Sequence, residues 1–509
     1  MNIWKLFQDA ATSFPNDVAV VDDEHRVTYA KTFERTCSLA RYLRSKGIRP
    51  GDRVSILEDN SYTYFEVYFA AAGLGVILNP LNNRLAAREI AAILLDAGAR
   101  WLIAGERFAK LVSDVLSRKT PIEGVLYTGE KYEQVVGFCS ETFEPAQVKE
   151  EDVAHLYYTS GTTGKPKGVM LTHKNVCLHA QAAIEEFELS VSDVWGHIAP
   201  MFHLADAWAT FAITRVGGRH VMVRRFDPEG VLQVLEKERI TISNLIPTML
   251  NQMNKHERVA EFDFPDLRVL LSGGASIAPE VVKSTMETFG CDYIQTYGMT
   301  ETSPYLTVSI LEEHLKRLPP DEQFSFKAKT GRPFKSVDLK VVDEQGVEVA
   351  PDGEQVGEIW VKGETVTPGY WNNPKETQAA FQAGWLCTGD LAVLDQEGYV
   401  NIVDRKKDLI VTGGENVYSI EVENILYMHP AILEAAVFGV PDETWGEAVR
   451  AAVVLNPGQV AAEEEIIGFC RENLAAYKAP KRVDFFEELP KTGSGKIFKK
   501  KLRDDCRRR

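Results

Sequence analysis

The sequence contains no cysteine pair at metal-binding or redox spacing, no apolar run long enough to span a bilayer, no excess of positive charge, and no repeat or low-complexity tract. Each absence removes a class of function. The seven cysteines, Cys37, Cys139, Cys177, Cys291, Cys387, Cys470 and Cys506, lie far apart, without a C-x-x-C pair or nearby His ligands. That pattern suits reduced thiols in a cytosolic protein, and the odd number excludes a disulfide framework that uses all of them. No run reaches the roughly 18 apolar residues a span requires. Residues 1–5 lead into a mixed amphipathic segment rather than a signal-peptide core. No transmembrane segment is expected, which leaves peripheral membrane contact and homodimer formation open. The formal net charge of -16 argues against nucleic acid as a partner of the whole chain. It leaves room for a local phosphate site, and the basic C-terminus around Lys499, Lys500 and Lys501 reads as a solvated tail. What is present is ordinary for a globular protein: 509 residues, 45% hydrophobic and 26% charged. Single cores rarely grow past roughly 250–300 residues, so more than one domain is expected.

Phosphate-binding chemistry is densest in Tyr158-Thr159-Ser160-Gly161-Thr162-Thr163-Gly164-Lys165-Pro166-Lys167-Gly168. Glycine lets backbone N–H groups approach an anion, hydroxyls add donors and lysine adds charge. The common nucleotide loop G-x-x-x-x-G-K-[ST] does not fit, because Gly161 and Gly164 are too close together and Pro166 follows Lys165. Taken alone, such a run reads equally well as a surface turn, so its neighbours decide.

Those neighbours alternate between short apolar runs and helical periodicity. Residues 18–21 and 27–28 flank a polar turn as a hairpin. Phe33, Cys37, Ala40 and Leu43 then recur at helical spacing until Gly47. Strands are expected at 54–57, 76–78 and 101–104, with helices near 65–74 and 86–97 and a break at Asn79-Pro80. Further strands are expected at 239–245, 269–271 and 293–298. The pattern predicts an α/β fold, with a large N-terminal domain of mostly parallel sheet covered by helices. Two strand ends open into Ser272-Gly273-Gly274-Ala275 and Gln295-Thr296-Tyr297-Gly298, where α/β sheets bind ligands. Residues 337–366 change to short alternating strands, a β-rich subdomain. After Asp404-Arg405-Lys406-Lys407-Asp408, strands at 432–440, 449–454 and 483–486 and a helix at 463–474 make a small α+β domain. The expected division is 1–404 and 405–509, with a hinge near Lys407 that makes the small domain mobile.

Together these pieces resemble the acyl-adenylate-forming superfamily, which contains acyl-CoA synthetases, firefly luciferase and the adenylation domains of peptide synthetases. The resemblance rests on residues 158–168 and on Tyr297-Gly298-Met299-Thr300-Glu301-Thr302, Trp385-Leu386-Cys387-Thr388-Gly389-Asp390, Asp404-Arg405-Lys406-Lys407-Asp408, Gly413-Gly414-Glu415-Asn416 and Pro490-Lys491-Thr492-Gly493-Ser494-Gly495-Lys496. The first 150 residues match only loosely. It implies that a carboxylate attacks the α-phosphorus of ATP to give an acyl-adenylate and pyrophosphate, after which the thiol of coenzyme A displaces AMP. Both first reactants are anions, so cations and aligned donors are needed.

By the resemblance, Thr159, Ser160, Gly161, Thr162, Thr163, Gly164, Lys165 and Lys167 hold the β- and γ-phosphates. Thr159 and Glu301 hold Mg²⁺, a hard ion that takes oxygen ligands, and Thr300 donates to the α-phosphate. Adenosine lies on Tyr297 and Gly298 and against Gly273, Gly274 and Ala275, with Gln295 alongside. Asp390 accepts from the ribose hydroxyls and Arg405 donates to the same sugar. Lys496 reaches the carboxylate and the α-phosphate from the small domain. Gly413 and Gly414 line the pantetheine channel, while Trp445, Tyr477 and Lys481 lie near the CoA nucleotide. His203, in Pro200-Met201-Phe202-His203, lies beside the acyl site. Plainer readings stand beside these: a surface carboxylate for Glu301, a turn former for Asp390, a solvated lysine for Lys496 and core side chains for His203, Trp445 and Tyr477.

Trp208 falls one residue late for the His-x-x-x-Trp spacing of some long-chain synthetases. Ala205, Ala207, Ala209, Gly217 and Gly218 leave room for a long or aromatic acid. The resemblance thus implies a cytoplasmic acid:CoA ligase acting on a medium- or long-chain fatty acid, with ATP, Mg²⁺ and CoA. An aryl or hydroxycinnamate-type ligase, a carrier-protein or luciferase-type relative, and a nucleotide-binding regulator without catalysis remain as alternatives.

Overall fold

Helix Tyr62–Leu74 has no polar face, and residues 63–74 are all buried, so the chain must cover it on every side. Ser61 opens it by accepting from the Tyr64 N–H, and Gly75 closes it in the left-handed conformation. Phe7 stacks on Phe69 at 4.2 Å between centroids, and Phe211 meets Tyr68 and Phe69 edge-on. Each aromatic side chain buried in this way contributes roughly 1.5–3 kcal/mol. The helix touches strands of two different sheets.

The computed structural model describes residues 1–137, 142–160, 166–275, 277–442, 444–491 and 497–507. Gly161, Thr162, Thr163, Gly164, Lys165, Lys496 and Cys139 lie outside the described residues. Two compact units are present: Met1–Asp338 with Val361–Leu386, and Leu339–Trp360 with Cys387–Arg509.

The first unit has two sheets. One is six-stranded, in the order Gly124–Tyr127, Ala99–Ala104, Arg53–Leu57, Ile77–Pro80, Val153–Ser160 and Pro166–Thr172. It is parallel until its last pair, which is antiparallel. The other is nine-stranded, in the order Arg332–Pro333, Tyr305–Val308, Asp292–Gly298, Val269–Gly273, Ile242–Asn244, Val194–His197, Arg219–Met222, Val18–Asp22 and His25–Thr28. Its central strands are parallel.

The mostly parallel α/β architecture expected from the alternation is present. Residues 18–104, however, feed two sheets rather than one, because Val18–Asp22 pairs with Arg219–Met222 from far along the chain. Asn79-Pro80 is not a break. The strand runs through both, with Pro80 at its last paired position, where the missing N–H interrupts nothing further. The strand expected over 239–245 shortens to Ile242–Asn244, because Arg239 takes a positive φ of 52° as the chain leaves helix Pro228–Lys237.

The second unit holds residues 339–360 of the β-rich stretch and a small α+β core. Strands Glu415–Val417, Ile410–Thr412, Gly446–Leu455 and Ile432–Asp442 form a sheet, with Arg482–Phe485 parallel to Gly446–Leu455. Helices Ser419–Met428 and Glu463–Asn473 bury Val422, Leu426, Ile466 and Cys470 against it. The charged stretch expected as a connector begins inside strand Val400–Arg405. Asp404 is buried there and accepts from both the backbone N–H and the hydroxyl of Ser419. Among the described residues, no helix is long and apolar enough to cross a membrane. The described cysteines are free, and burial pushes the thiols of Cys177 and Cys291 up to about 12.

Candidate active site

The stem of the glycine-rich loop is a hairpin. Thr159 lies opposite Lys167, and Tyr158 lies opposite Gly168. The Tyr158 hydroxyl donates to Asp96 at 2.6 Å, and burial, followed by that carboxylate, raises its pKa. Residues 367–371 run beside the second strand. The Thr367 hydroxyl donates to the Met170 carbonyl at 2.6 Å, the Met170 N–H to the Gly369 carbonyl at 3.1 Å, and the Trp371 N–H to the Gly168 carbonyl at 2.7 Å. This second layer carries Tyr370 to Glu301. The Tyr370 hydroxyl donates to Glu301 Oε1 at 2.9 Å, and the Thr367 N–H donates to the Glu301 carbonyl at 2.7 Å. Lys167 pairs with Glu376, and its ammonium lies 5.3 Å from the centre of the Tyr370 ring. Lys167, Tyr370 and Glu301 therefore form one string beside the stem. Glu301 is 7% exposed, on the short turn Thr300–Thr302 that packs against strand Pro166–Thr172. Thr300 is half-buried.

The expected adenosine loops stand at the ends of adjacent parallel strands, with Gly273 opposite Thr296. Gln295 is not turned outward: its amide donates to the Ala275 carbonyl at 2.8 Å, and it accepts from the Tyr293 hydroxyl at 2.5 Å. It sets the path of residues 273–275. Tyr297 is half-buried, and Gly274 follows Gly273 in the same loop. Gly298 is required by close approach, because a Cβ there would lie 2.0 Å from the Pro304 carbonyl oxygen.

His203 is the N-cap of helix Leu204–Val216, half-buried, with its ring 4.6 Å from that of Phe202. Trp208, on the same helix, is 2% exposed and packs against His179, Phe187, Trp195 and Tyr305, donating to the Tyr305 hydroxyl at 3.0 Å. It is a core residue. Trp208→Ala should cost about 3–5 kcal/mol of stability, read from the denaturant midpoint. A changed chain-length preference at unchanged stability would instead return Trp208 to the acyl site. Of the small residues expected to leave room, Ala207 and Ala209 are fully buried, Gly217 packs against Phe14 and Gly218 against Ile213, while Ala205 is exposed.

In the second unit Asp390 faces Arg405 across a strand pair, with Arg405 Nε 3.2 Å from Asp390 Oδ1. The neighbouring Glu358 accepts from the Gly389 N–H and from Lys406. Lys407 is lowered in pKa, first by burial and then by Arg405. Gly413 takes a left-handed φ of 61°, and its N–H donates to the Trp445 carbonyl at 2.8 Å. A Cβ on Gly413 would approach the Trp445 ring to 3.0 Å. Trp445 is 51% exposed, with the Lys481 ammonium 6.0 Å from its ring centre. Gly413, Trp445 and Lys481 are thus brought together. Gly414 has open space around it. Tyr477 stands partly exposed with Lys478 beside its ring. On either side of the segment containing Lys496, Lys491 and Ile497 pair antiparallel.

The AMP-binding enzyme model matches residues 7–371, and the AMP-binding enzyme C-terminal domain model matches residues 421–496. The chain belongs to the AMP-binding enzyme family. It lies in the acyl-CoA synthetase branch, the AMP-forming acid–thiol ligases. A long-chain-fatty-acid–CoA ligase of Thermus thermophilus is 36% identical over 520 residues, covering 99% of this chain and 95% of that protein. A feruloyl-CoA synthase of an Amycolatopsis species is 37% identical over 494 residues, covering 96% of each. The crystal structure of the anthranilate CoA ligase AuaEII in complex with anthranoyl-AMP matches with a TM-score of 0.90 at 28% identity, covering 99% of this chain and 97% of that one.

As an AMP-binding enzyme of this branch, the protein is an ATP-dependent acyl- or aryl-CoA ligase. The Tyr370 contact with Glu301 was not foreseen from the sequence of this synthetase. A local signal exists in Pro368-Gly369-Tyr370-Trp371, an aromatic pair after a Pro-Gly turn, but nothing in it names a partner 69 residues away. The Glu301 carboxylate and the Thr159 hydroxyl are oxygen donors, the ligand type a hard divalent ion accepts. Among the described residues, no group of three or more His, Cys, Asp or Glu could hold a metal by itself. Tyr370→Phe removes one hydrogen bond to Glu301; were that carboxylate to hold Mg²⁺, the half-maximal Mg²⁺ concentration for adenylation should rise by about tenfold. An unchanged Mg²⁺ titration would make Tyr370 a packing residue only.

Proposed function

We propose that this synthetase activates an apolar carboxylic acid, a medium- or long-chain fatty acid, with ATP and passes the acyl group to CoA. The observation that carries this reading is the string Lys167–Tyr370–Glu301 along the stem of the glycine-rich hairpin. A cation, a half-buried donor and a buried carboxylate there suit a polyphosphate and its counter-ion. One carboxylate oxygen attacks the α-phosphorus as the bond to the β-phosphate oxygen breaks, giving acyl-adenylate and pyrophosphate. The CoA sulfur then attacks the acyl carbon and AMP leaves.

In the first unit, Thr159 to Lys167 would hold the β- and γ-phosphates, Thr300 would donate to the α-phosphate, and Tyr297 and Gly298 with Gly273, Gly274 and Ala275 would receive adenine. Gln295 supports that loop. Thr159 and Glu301 would hold Mg²⁺, whose charge offsets that of the phosphates. In the second unit, Asp390 and Arg405 would take the ribose hydroxyls. Lys496 would serve the first half-reaction, and Gly413, Gly414, Trp445, Tyr477 and Lys481 the second, with the exchange turning on a hinge near Lys407. His203 would border the acid, beside the apolar side chains of Met201, Phe202 and Leu204.

The fatty-acid reading is supported by the Thermus thermophilus relative. An aryl or hydroxycinnamate-type acid is the second reading, favoured by the feruloyl-CoA synthase at a similar identity. Acid-dependent pyrophosphate release, with and without CoA, across linear acids of increasing length and benzoate and cinnamate types separates the two. A maximum among linear acids supports the first, a maximum among aryl acids the second, and no release with any acid refutes both.

A further inference from the structure

We propose that Asn60 is a positioning residue for the acid half of the site, acting through the backbone that carries His203. This rests on the reading above that His203 borders the acid. The first 150 residues, which carry none of the motifs quoted for the resemblance, lie within the family match from residue 7 on, and Asn60, just past strand Arg53–Leu57 of the six-stranded sheet, reaches the end of strand Val194–His197 of the nine-stranded one. Its side-chain nitrogen donates to the carbonyls of His197 at 2.8 Å and Ala199 at 2.9 Å, and its oxygen accepts from the Met201 N–H at 2.8 Å. Both N–H bonds and the oxygen of one primary amide are used, all on the backbone between that strand and His203.

The next connection is equally specific. The Tyr68 hydroxyl donates to the Met201 carbonyl at 2.8 Å and lies 2.8 Å from the Tyr157 hydroxyl, on the strand that leads to Thr159. His203 itself donates from its backbone N–H to the Pro200 carbonyl. Ile198, Ala199, Met201 and Phe202 are buried, so their backbone groups have little access to water and must find partners in the protein. The Ile198 N–H finds the Gly196 carbonyl and the His197 carbonyl also accepts from the Val223 N–H, whereas the Ala199 carbonyl and both backbone groups of Met201 are held by side chains, so the path of residues 199–201 follows Asn60 and Tyr68.

Asn60→Asp tests this directly, since it keeps the shape but faces two carbonyl oxygens with a carboxylate that cannot donate. In acid-dependent pyrophosphate release, its KM for the acid should rise by about tenfold while KM for ATP stays within about twofold, because displacing a positioned group by an ångström is costly. Tyr68→Phe, which removes only a hydroxyl, should move KM for the acid in the same direction by a smaller factor. If Asn60→Asp does not accumulate as folded protein, Tyr68→Phe decides by the same split. Equal rises in both KM values, or no rise for the acid, overturn the inference. A wild-type enzyme silent with every acid overturns the functional reading and this inference with it; an active wild type with unaltered variants overturns this inference alone.

Discussion

Lys496→Ala is expected to lower adenylate formation by roughly a hundredfold or more, while CoA transfer from supplied acyl-adenylate continues close to the wild-type rate. The carboxylate and the α-phosphate repel each other as they approach, and negative charge grows on the phosphorus oxygens in the transition state. A lysine aimed there strengthens its interaction during the step, which is the condition for acceleration rather than tighter ground-state binding. The thiol step loses AMP from an already formed mixed anhydride and has no such approach of two anions. Single-turnover measurements of each half-reaction separate the two. Equal loss in both would mean that Lys496 supports the small domain generally and does not serve one step.

Glu301→Gln should have a comparable effect, roughly a hundredfold or more on adenylation, with half-maximal Mg²⁺ shifted to higher concentration. The substitution is nearly isosteric and leaves an oxygen to accept from Tyr370, whose hydroxyl now lies 2.9 Å from Glu301 Oε1. The backbone bond from the Thr367 N–H to the residue 301 carbonyl is also untouched. What is removed is charge. Burial first, and the Glu301 charge second, raise the Tyr370 pKa, so Tyr370 stays a donor in both proteins at neutral pH. A variant with reduced rate but an unchanged Mg²⁺ titration would place Glu301 outside the metal site.

Much of this was legible in the sequence. The helix expected near 65–74 is present as Tyr62–Leu74, and the caps that bound it, Ser61 and Gly75, act by local chemistry that operates in any context. The pairing of Asp390 with Arg405 lies within reach of a strand reading, because a short turn returns Val400–Arg405 onto the strand before it. The hairpin stem at 158–168 is local in the same way. Arg239 was misread because a single left-handed residue carries no mark in an apolar run, and the bond from Gln295 to the Ala275 carbonyl was not foreseen because the same amide can face a ligand or brace a loop.

The phosphate-loop candidate and the domain-scale alternation were legible from residue type and spacing, since glycine, hydroxyl and lysine act through properties they carry with them, and the adenylate-forming chemistry followed from the resemblance that the ordered motifs carry. Only the tertiary structure decided that Val18–Asp22 joins the second sheet, that Trp208 is core, that Tyr370 holds Glu301, and that Asn60 holds the backbone before His203. Each of these depends on groups far apart in the chain being buried together, where an unmade hydrogen bond or an unfilled space is costly. Local sequence does not encode that condition residue by residue.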